Sequence, residues 1–289
     1  MIKRSVGERV FDVCNVILLV LIAFITLYPF WYVLVASLSE PTQVSMGNVT
    51  FWPIGFEVAS YLKVFNMPYI WTSYGNTILI SVGGTTISMV GTILTAYATS
   101  KQRLVGRKFF IMLMLIPMWF SAGLIPTYIN IKNLGLLNNR LALMLNGAIS
   151  TFYVILMRTY FESISDSLEE SAKMDGASDW FVLLKIYVPL SVPCLMTITM
   201  YYFVARWNAY FDAMIYLKDE WKVPLQVLLK KIVVQSEITS ETMDVSTATT
   251  NQQTIIYATI MLAALPMICI YPFVQKFFVK GIMIGAVKG

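Results

Sequence analysis

Few residues in this chain can do chemistry, and their distribution excludes most reactions before any fold is considered. Histidine is absent from all 289 residues, which removes the commonest general base and metal ligand. Cys14, Cys194 and Cys269 lie in apolar stretches without paired spacing, so neither a disulfide framework nor a metal site is expected. No G-x-x-x-x-G-K-[ST] phosphate loop occurs. The acids gather instead in one polar break, 158–188, which contains Glu169-Glu170-Ser171-Ala172-Lys173-Met174-Asp175-Gly176-Ala177-Ser178. Without a nucleophile or base beside them, these carboxylates suit docking rather than catalysis.

The break has its own local logic. Ser167 and Glu170 have the S-x-x-E spacing of a capping box. Leu168 and Ala172 fall four residues apart on one helical face, and the early acids complement the helix dipole. Gly176 tolerates the left-handed backbone that ends a helix. Ser178 can cap a second helix running through Lys185 and ending at Val188-Pro189. The expected shape is helix, sharp glycine turn, helix.

The elements that position this elbow are membrane spans. The chain is 57% hydrophobic and 13% charged, with a mean hydropathy of +0.69, against roughly 25% charge in soluble domains. A bilayer core about 30 Å thick needs roughly 20 apolar residues per helix. Segments near 11–38, 70–98, 109–129, 141–157, 189–211 and 254–275 qualify. The fold class is therefore an all-α, six-span membrane protein. Residues 1–289 form a single transmembrane domain with a core bundle at about 70–275, a loop at 158–188 and a second loop at 212–253. The first apolar run is too long for a signal peptide and lacks a small-x-small cleavage site, so it is read as a retained span.

The net charge of +5 does not point to nucleic acid, because the basic residues are spread over short loops beside spans. With the N-terminus inside, thirteen of the 21 Lys and Arg lie on the cytoplasmic side. Both termini are thus expected in the cytoplasm, with Lys132 and Arg140 left on the outer face. The second span carries Gly75, Gly83, Gly84 and Gly91 among Thr and Ser, a pattern that lets helix backbones approach closely. Pro117, Gly123 and Pro126 should kink or break the third span, either to line a passage or simply beside a neighbour. Ser39 to Tyr69 reads as an ordered outer loop with one short helix. Residues 212–253 read as a helical stretch near Leu225–Val234 followed by a Ser/Thr-rich run, functional or disordered.

The polar break resembles the EAA loop of ATP-binding-cassette importer permeases, in which E-A-A is followed by three residues, Gly, nine residues, then Ile, any residue, Leu, Pro. Here the series is Glu170-Ser171-Ala172, Gly176, Ile186, Tyr187, Val188, Pro189, with Ser171 and Val188 as small or apolar departures. The likeness extends along nearly the whole chain to the carbohydrate-uptake branch of the maltose-importer G-subunit (MalG) type, and within it to LplC-like polysaccharide and oligosaccharide permeases. FSAGLIPTYINIKNLGLL at Phe120–Leu137, MDGAS at Met174–Ser178, Trp207-Asn208 and the glycine-spaced ending from Tyr271 to Gly289 carry it. The resemblance implies a type I permease fold. It also implies that Glu169, Glu170, Ala172, Asp175, Gly176 and Ala177 form or support a coupling helix docked on a cytoplasmic ATPase dimer. Lys280, Gly281 and Lys288 would reach the same ATPase, although Lys276, Lys280 and Lys288 also serve as inside-positive anchors. This chain would bind no cofactor itself, with ATP and Mg2+ held by the ATPase. Further implied partners are a homologous permease, an extracytoplasmic solute-binding protein, membrane lipid and the transported oligosaccharide, in the cytoplasmic membrane.

Arg206, Trp207, Asn208 and Tyr210 combine aromatic faces with hydrogen-bonding groups, as sugars require. The same types also mark a membrane interface. With Trp119 and Tyr128 they are the candidate substrate path. An ion-coupled sugar carrier is the competing reading, but its spans would hold ionisable residues at mid-membrane, and these spans are almost free of them. An intramembrane enzyme would need the base or metal set that the composition lacks.

Overall fold

A computed structural model describes residues 6–242 and 248–286, and no strand occurs among them. In chain order the helices are α1 (Val6–Ser37), α2 (Pro41–Ser45), α3 (Ala59–Phe65), α4 (Ile70–Ser100), α5 (Arg107–Trp119), α6 (Leu124–Asn133), α7 (Leu141–Leu145) and α8 (Thr151–Glu162). There follow α9 (Asp166–Met174), α10 (Asp179–Val182), α11 (Val188–Leu190), α12 (Val192–Trp207), α13 (Phe211–Tyr216), α14 (Leu225–Thr242) and α15 (Ala248–Ala286). The chain divides into two compact units, residues 1–68 with 229–265, and residues 69–228 with 266–289.

In the first unit α1 is apolar all round, and Leu18, Leu21 and Phe24 are each more than half exposed. A helix with apolar residues on every side and no protein cover is built to face lipid. Its last turns are held by aromatics: Trp31 Nε1 donates to the Phe51 carbonyl at 2.8 Å and its ring meets Trp52 edge-on at 6.2 Å. Such rings suit the boundary between hydrocarbon and water. Val35, Ala36, Val44 and Val49 form a small core there, with Tyr32 against Tyr257. Ser60 Oγ donates to Thr254 Oγ1 at 2.8 Å, tying α3 to α15. The segment from Ser39 to Tyr69 holds two short helices, α2 and α3, where one was expected.

The second unit is built around α4, against which α7, α8 and α12 pack. Small polar residues rather than large apolar ones make up much of its buried face, and several of them bond across to neighbouring elements, although the hydroxyls of Ser73, Ser81 and Thr85 are buried without a partner. Thr77 Oγ1 accepts from the Leu225 N–H at 2.8 Å, Thr92 Oγ1 lies 2.9 Å from the Tyr202 hydroxyl, and Asn76 Nδ2 donates to the Trp221 and Val223 carbonyls. The expected close approach at glycines is present at three of four positions. A Cβ on Gly84 would stand 2.7 Å from the Arg206 side chain, one on Gly91 2.7 Å from Ile149, and one on Gly83 3.2 Å from Met144, whereas Gly75 faces open space.

Among the described residues, helix length and composition give three helices able to cross a membrane, at Val10–Ser37, Ile70–Ser100 and Gln252–Pro272, or up to five if each bent pair is one span. The third expected span is the first bent pair. α5 and α6 meet at 117°, with Gly123 at φ +83°, ψ 176°, a conformation open essentially to glycine alone. The fifth is the second pair, bent by 84° between Leu190 and Val192. In place of the fourth, 141–157, the chain forms α7 and α8 separated by a turn at Gly147. α14 runs through Thr242, eight residues past the expected Leu225–Val234 stretch, and residues 243–247 of the Ser/Thr-rich run lie outside the described residues.

Gly84→Ala should force Arg206 or α4 to shift, at a cost of about 1–3 kcal/mol, and lower the thermal unfolding midpoint in detergent. Gly75→Ala should leave that midpoint unchanged or slightly raised, since nothing stands in its way and alanine favours helix. Equal effects at the two positions would contradict the packing described.

Candidate functional site

The acidic elbow forms as a helix, a glycine turn and a second helix, with one change at its start. α9 begins at Asp166 with Ser165 as N-cap, two residues earlier than a Ser167 cap requires, and no side-chain cap bond forms. Ser167 therefore sits inside the first turn, its hydroxyl 2.8 Å from that of Ser165, and the expected Ser167–Glu170 capping box is not made. The C-terminal end follows expectation closely. Gly176 has φ +83°, its N–H donates to the Lys173 carbonyl and the Ala177 N–H to the Ala172 carbonyl, both at 2.9 Å. This is the paired closure of a Schellman turn. Ser178 Oγ then accepts from the Phe181 N–H at 3.3 Å and caps α10.

The second helix does not stop at Pro189. Leu183–Tyr187 widens into a π turn, and Pro189 falls in the first turn of α11, where its missing N–H is no loss. The chain continues to Leu190 and bends at Ser191, whose N–H is shared between the Tyr187 and Val188 carbonyls.

Glu169 is the buried centre of the site. Only 8% exposed, it pairs with Lys101 Nζ, accepts from Lys173 Nζ at 2.6 Å and from the Tyr187 hydroxyl at 3.0 Å, and lies 3.6 Å from Arg103 Nη1. Lys101 in turn stands 3.7 Å from the Tyr187 ring centre and 4.5 Å from that of Tyr97, so the ammonium is caged by ring faces and one carboxylate. Around this centre the α4–α5 connection and the start of α5 supply cations and the 158–188 region anions, Arg103 pairing with Asp179 and Arg107 with Glu162, which Arg158 of its own helix also meets. A polar cleft of about 590 Å3 separates the two segments.

The six residues expected to act together are divided by the fold. Glu169 turns inward, Ala172 and Ala177 are half-buried against the core of the unit, and Glu170, Asp175 and Gly176 face outward with Met174, which is 87% exposed. Lys101, Arg103 and Tyr187 were missed as site residues. The signal was the basic run Lys101 to Lys108, legible only as a topology determinant until its acidic counterpart was known to lie beside it.

The candidate substrate path is also divided. Trp207 is 2% exposed and stacked on Phe203 at 5.8 Å, so its ring packs within the unit and offers no face to a sugar. Arg206 donates to the Leu143 carbonyl at 2.6 Å and to Ser88 Oγ at 2.8 Å, bridging α4, α7 and α12. It edges a cavity of about 180 Å3 where Asn146 Nδ2 donates to Asp212 at 2.8 Å. Tyr128 packs on Tyr216 at 6.3 Å, while Trp119, Asn208 and Tyr210 are exposed. Lys280 and Gly281 fall on the backbone of α15, their surroundings outside the description, and Lys288 lies outside the described residues.

Residues 87–284 match the family of binding-protein-dependent transport system inner membrane components. The chain belongs to this family, a class of membrane-embedded transport subunits rather than enzymes. It is 38% identical over 282 residues to protein LplC of Bacillus subtilis (strain 168), covering 97% of this chain and 96% of that protein. It is likewise 38% identical over 284 residues to the polygalacturonan/rhamnogalacturonan transport system permease protein YtcP of the same organism, covering 98% and 99%. Among solved structures it resembles a chain of a bacterial ABC transporter involved in the import of the acidic polysaccharide alginate, with a TM-score of 0.86, 40% identity and coverage of 96% of this chain and 100% of that one. The fold is thus the all-helical importer permease fold that the sequence resemblance implies.

Removing the Glu169 carboxylate leaves Lys101 buried without its counter-charge. Glu169→Ala should cost about 3–5 kcal/mol and make the 158–188 loop sensitive to limited proteolysis, whereas Glu170→Ala should alter neither stability nor cleavage. Exchanging the charges, Lys101→Glu with Glu169→Lys, should recover part of the loss. The idea of a buried anchor is wrong if Glu169→Ala resists protease as the unaltered protein does.

Proposed function

We propose that this chain is one of two homologous permease subunits of an ATP-driven importer that carries an oligosaccharide, specifically a fragment of an acidic polysaccharide, across the cytoplasmic membrane. The observation that carries this reading is the likeness over nearly the full length to a polygalacturonan/rhamnogalacturonan permease and to the alginate transporter chain. The remaining parts are a second permease, an ATPase dimer that holds ATP and Mg2+, and a solute-binding protein outside. Six crossings with both termini in the cytoplasm fit the inside-positive charge distribution.

In this reading the outward tip of the elbow, Glu170, Met174, Asp175 and Gly176, sits in a cleft of the ATPase, with the segment carrying Lys280, Gly281 and Lys288 as a second contact. ATPase closure moves α9 as a stiff element. The Glu169–Lys101 pair passes that motion to the end of α4, which packs on α7, α8 and α12. Ala172 and Ala177 support the elbow from within rather than touching the ATPase.

Vesicles containing both permeases, the ATPase and the binding protein should take up oligogalacturonate only with ATP, and a proton ionophore should not reduce the rate. Uptake abolished by ionophore at constant ATP would favour an ion-coupled carrier instead. Glu170→Lys and Gly176→Pro should leave membrane insertion intact while weakening ATPase retention in pull-down by roughly tenfold or more, about 1.4 kcal/mol. Wild-type retention by both variants would exclude docking at this elbow.

A further inference from the structure

A second charged cluster lies at the opposite end of α4, roughly 36 Å from the elbow at 1.5 Å per residue from Asn76 to Ser100. Its scaffold is Asn138, held in the left-handed region at φ +57°. The Asn138 N–H donates to the Tyr216 carbonyl at 2.7 Å, and its Oδ1 accepts from the N–H groups of Lys218 and Asp219. Its Nδ2 donates to Asp219 Oδ2 at 2.9 Å, and Lys222 Nζ bridges the Asn138 carbonyl and Asp219 at 2.9 and 2.8 Å. Lys222 and the Asn138 amide hold the Asp219 carboxyl below its ordinary range. With the value depressed, this clamp's stabilisation is complete above the ordinary carboxylate range and is lost progressively as pH falls from that range through the lowered value.

Asp219 is thereby satisfied, and the neighbouring Arg140 is not. Its guanidinium carbon stands 5.1 Å from the Trp221 ring centre, its Nη2 reaches the Trp221 carbonyl only at 3.5 Å, and its Nε is buried without a partner. Among the described residues no carboxylate pairs with it. Arginine offers five donors in a planar fork matched to a carboxylate. This fork is fixed over a ring, beside an open cavity of about 500 Å3 lined by Asn138, Asn139, Arg140, Met144, Leu79 and Lys222. The cavity therefore combines a surplus positive charge with amide groups suited to hydroxyls. Arg140 is also one of the cations that inside-positive orientation leaves on the outer face, a placement that topology alone does not explain.

We propose that Arg140, positioned by Trp221 and the Asn138–Asp219–Lys222 clamp, is the receptor for a uronate carboxylate of the glycan on the outer side of this permease. The assignment rests on the importer reading above and adds to it the residue that selects acidic from neutral cargo. The test uses the complete importer in proteoliposomes, with trigalacturonate supplied on saturating binding protein. Arg140→Gln should slow trigalacturonate uptake by about tenfold while basal ATP hydrolysis and the thermal midpoint stay unchanged. Arg140→Lys, which keeps the charge but loses the planar fork, should fall between the unaltered protein and Arg140→Gln, and uptake of the methyl-esterified trisaccharide should change by less than about twofold in either variant. Unaltered trigalacturonate uptake by Arg140→Gln overturns the proposal, as does an equal loss for acid and ester or a rate for Arg140→Lys no higher than for Arg140→Gln. If the unaltered importer carries the ester but not the acid, the acidic-cargo reading itself falls, and if it carries neither with ATP, the importer reading falls first.

Discussion

A carboxylate removed from water needs a counter-charge and bonds to both oxygens, and Glu169 obtains these from three different parts of the chain. Lys101 comes from the end of α4, Lys173 from the next turn of α9, and Tyr187 from the π turn beyond the elbow. A nine-residue polar helix such as α9 is too short to persist alone. Its order depends on this ion pair and on Ala172 and Ala177 packing against the core of the unit. The same pair joins the elbow to the longest helix of that unit, so the outward tip and the interior of the bundle form one mechanical piece.

α4 can serve as the centre because its inner face is made of small groups. In hydrocarbon, apolar burial gives little reason for one helix to prefer another over lipid, and close backbone approach with interhelical hydrogen bonds takes its place. Gly84 and Ser88 accommodate the Arg206 side chain, Gly91 admits Ile149, and Thr92 meets Tyr202. The broken helices are tolerated on the same terms, because the backbone groups freed at Ser191 and Gly123 find partners in adjoining turns.

Much of the elbow was legible in the residues. Gly176 as helix terminator and Ser178 as the next cap follow from backbone freedom and side-chain reach, which are local properties. The failed features were those with two equally good local solutions. Ser165 and Ser167 can each begin α9, and nothing in the run distinguishes them until Glu169 must point at Lys101. Pro189 was read as a stop, yet a π turn upstream lets it begin a new turn. Trp207 was left open between a sugar contact and a membrane-interface anchor because its type serves both, and its packing against Phe203 is visible only in the folded chain.

Composition and periodicity alone determined that this chain is helical and membrane-embedded, because those properties depend on which residue types are present and how apolar runs are spaced. The glycine elbow and its likeness to importer permeases were equally fixed by short-range pattern. Only tertiary structure decided which acid turns inward and which outward, since adjacent Glu169 and Glu170 are chemically identical and differ solely in whether a cation from 68 residues earlier reaches them. It likewise decided that Asp219 is matched by Lys222 while, among the described residues, no carboxylate pairs with Arg140, because charge balance over such distances is a property of the packed chain.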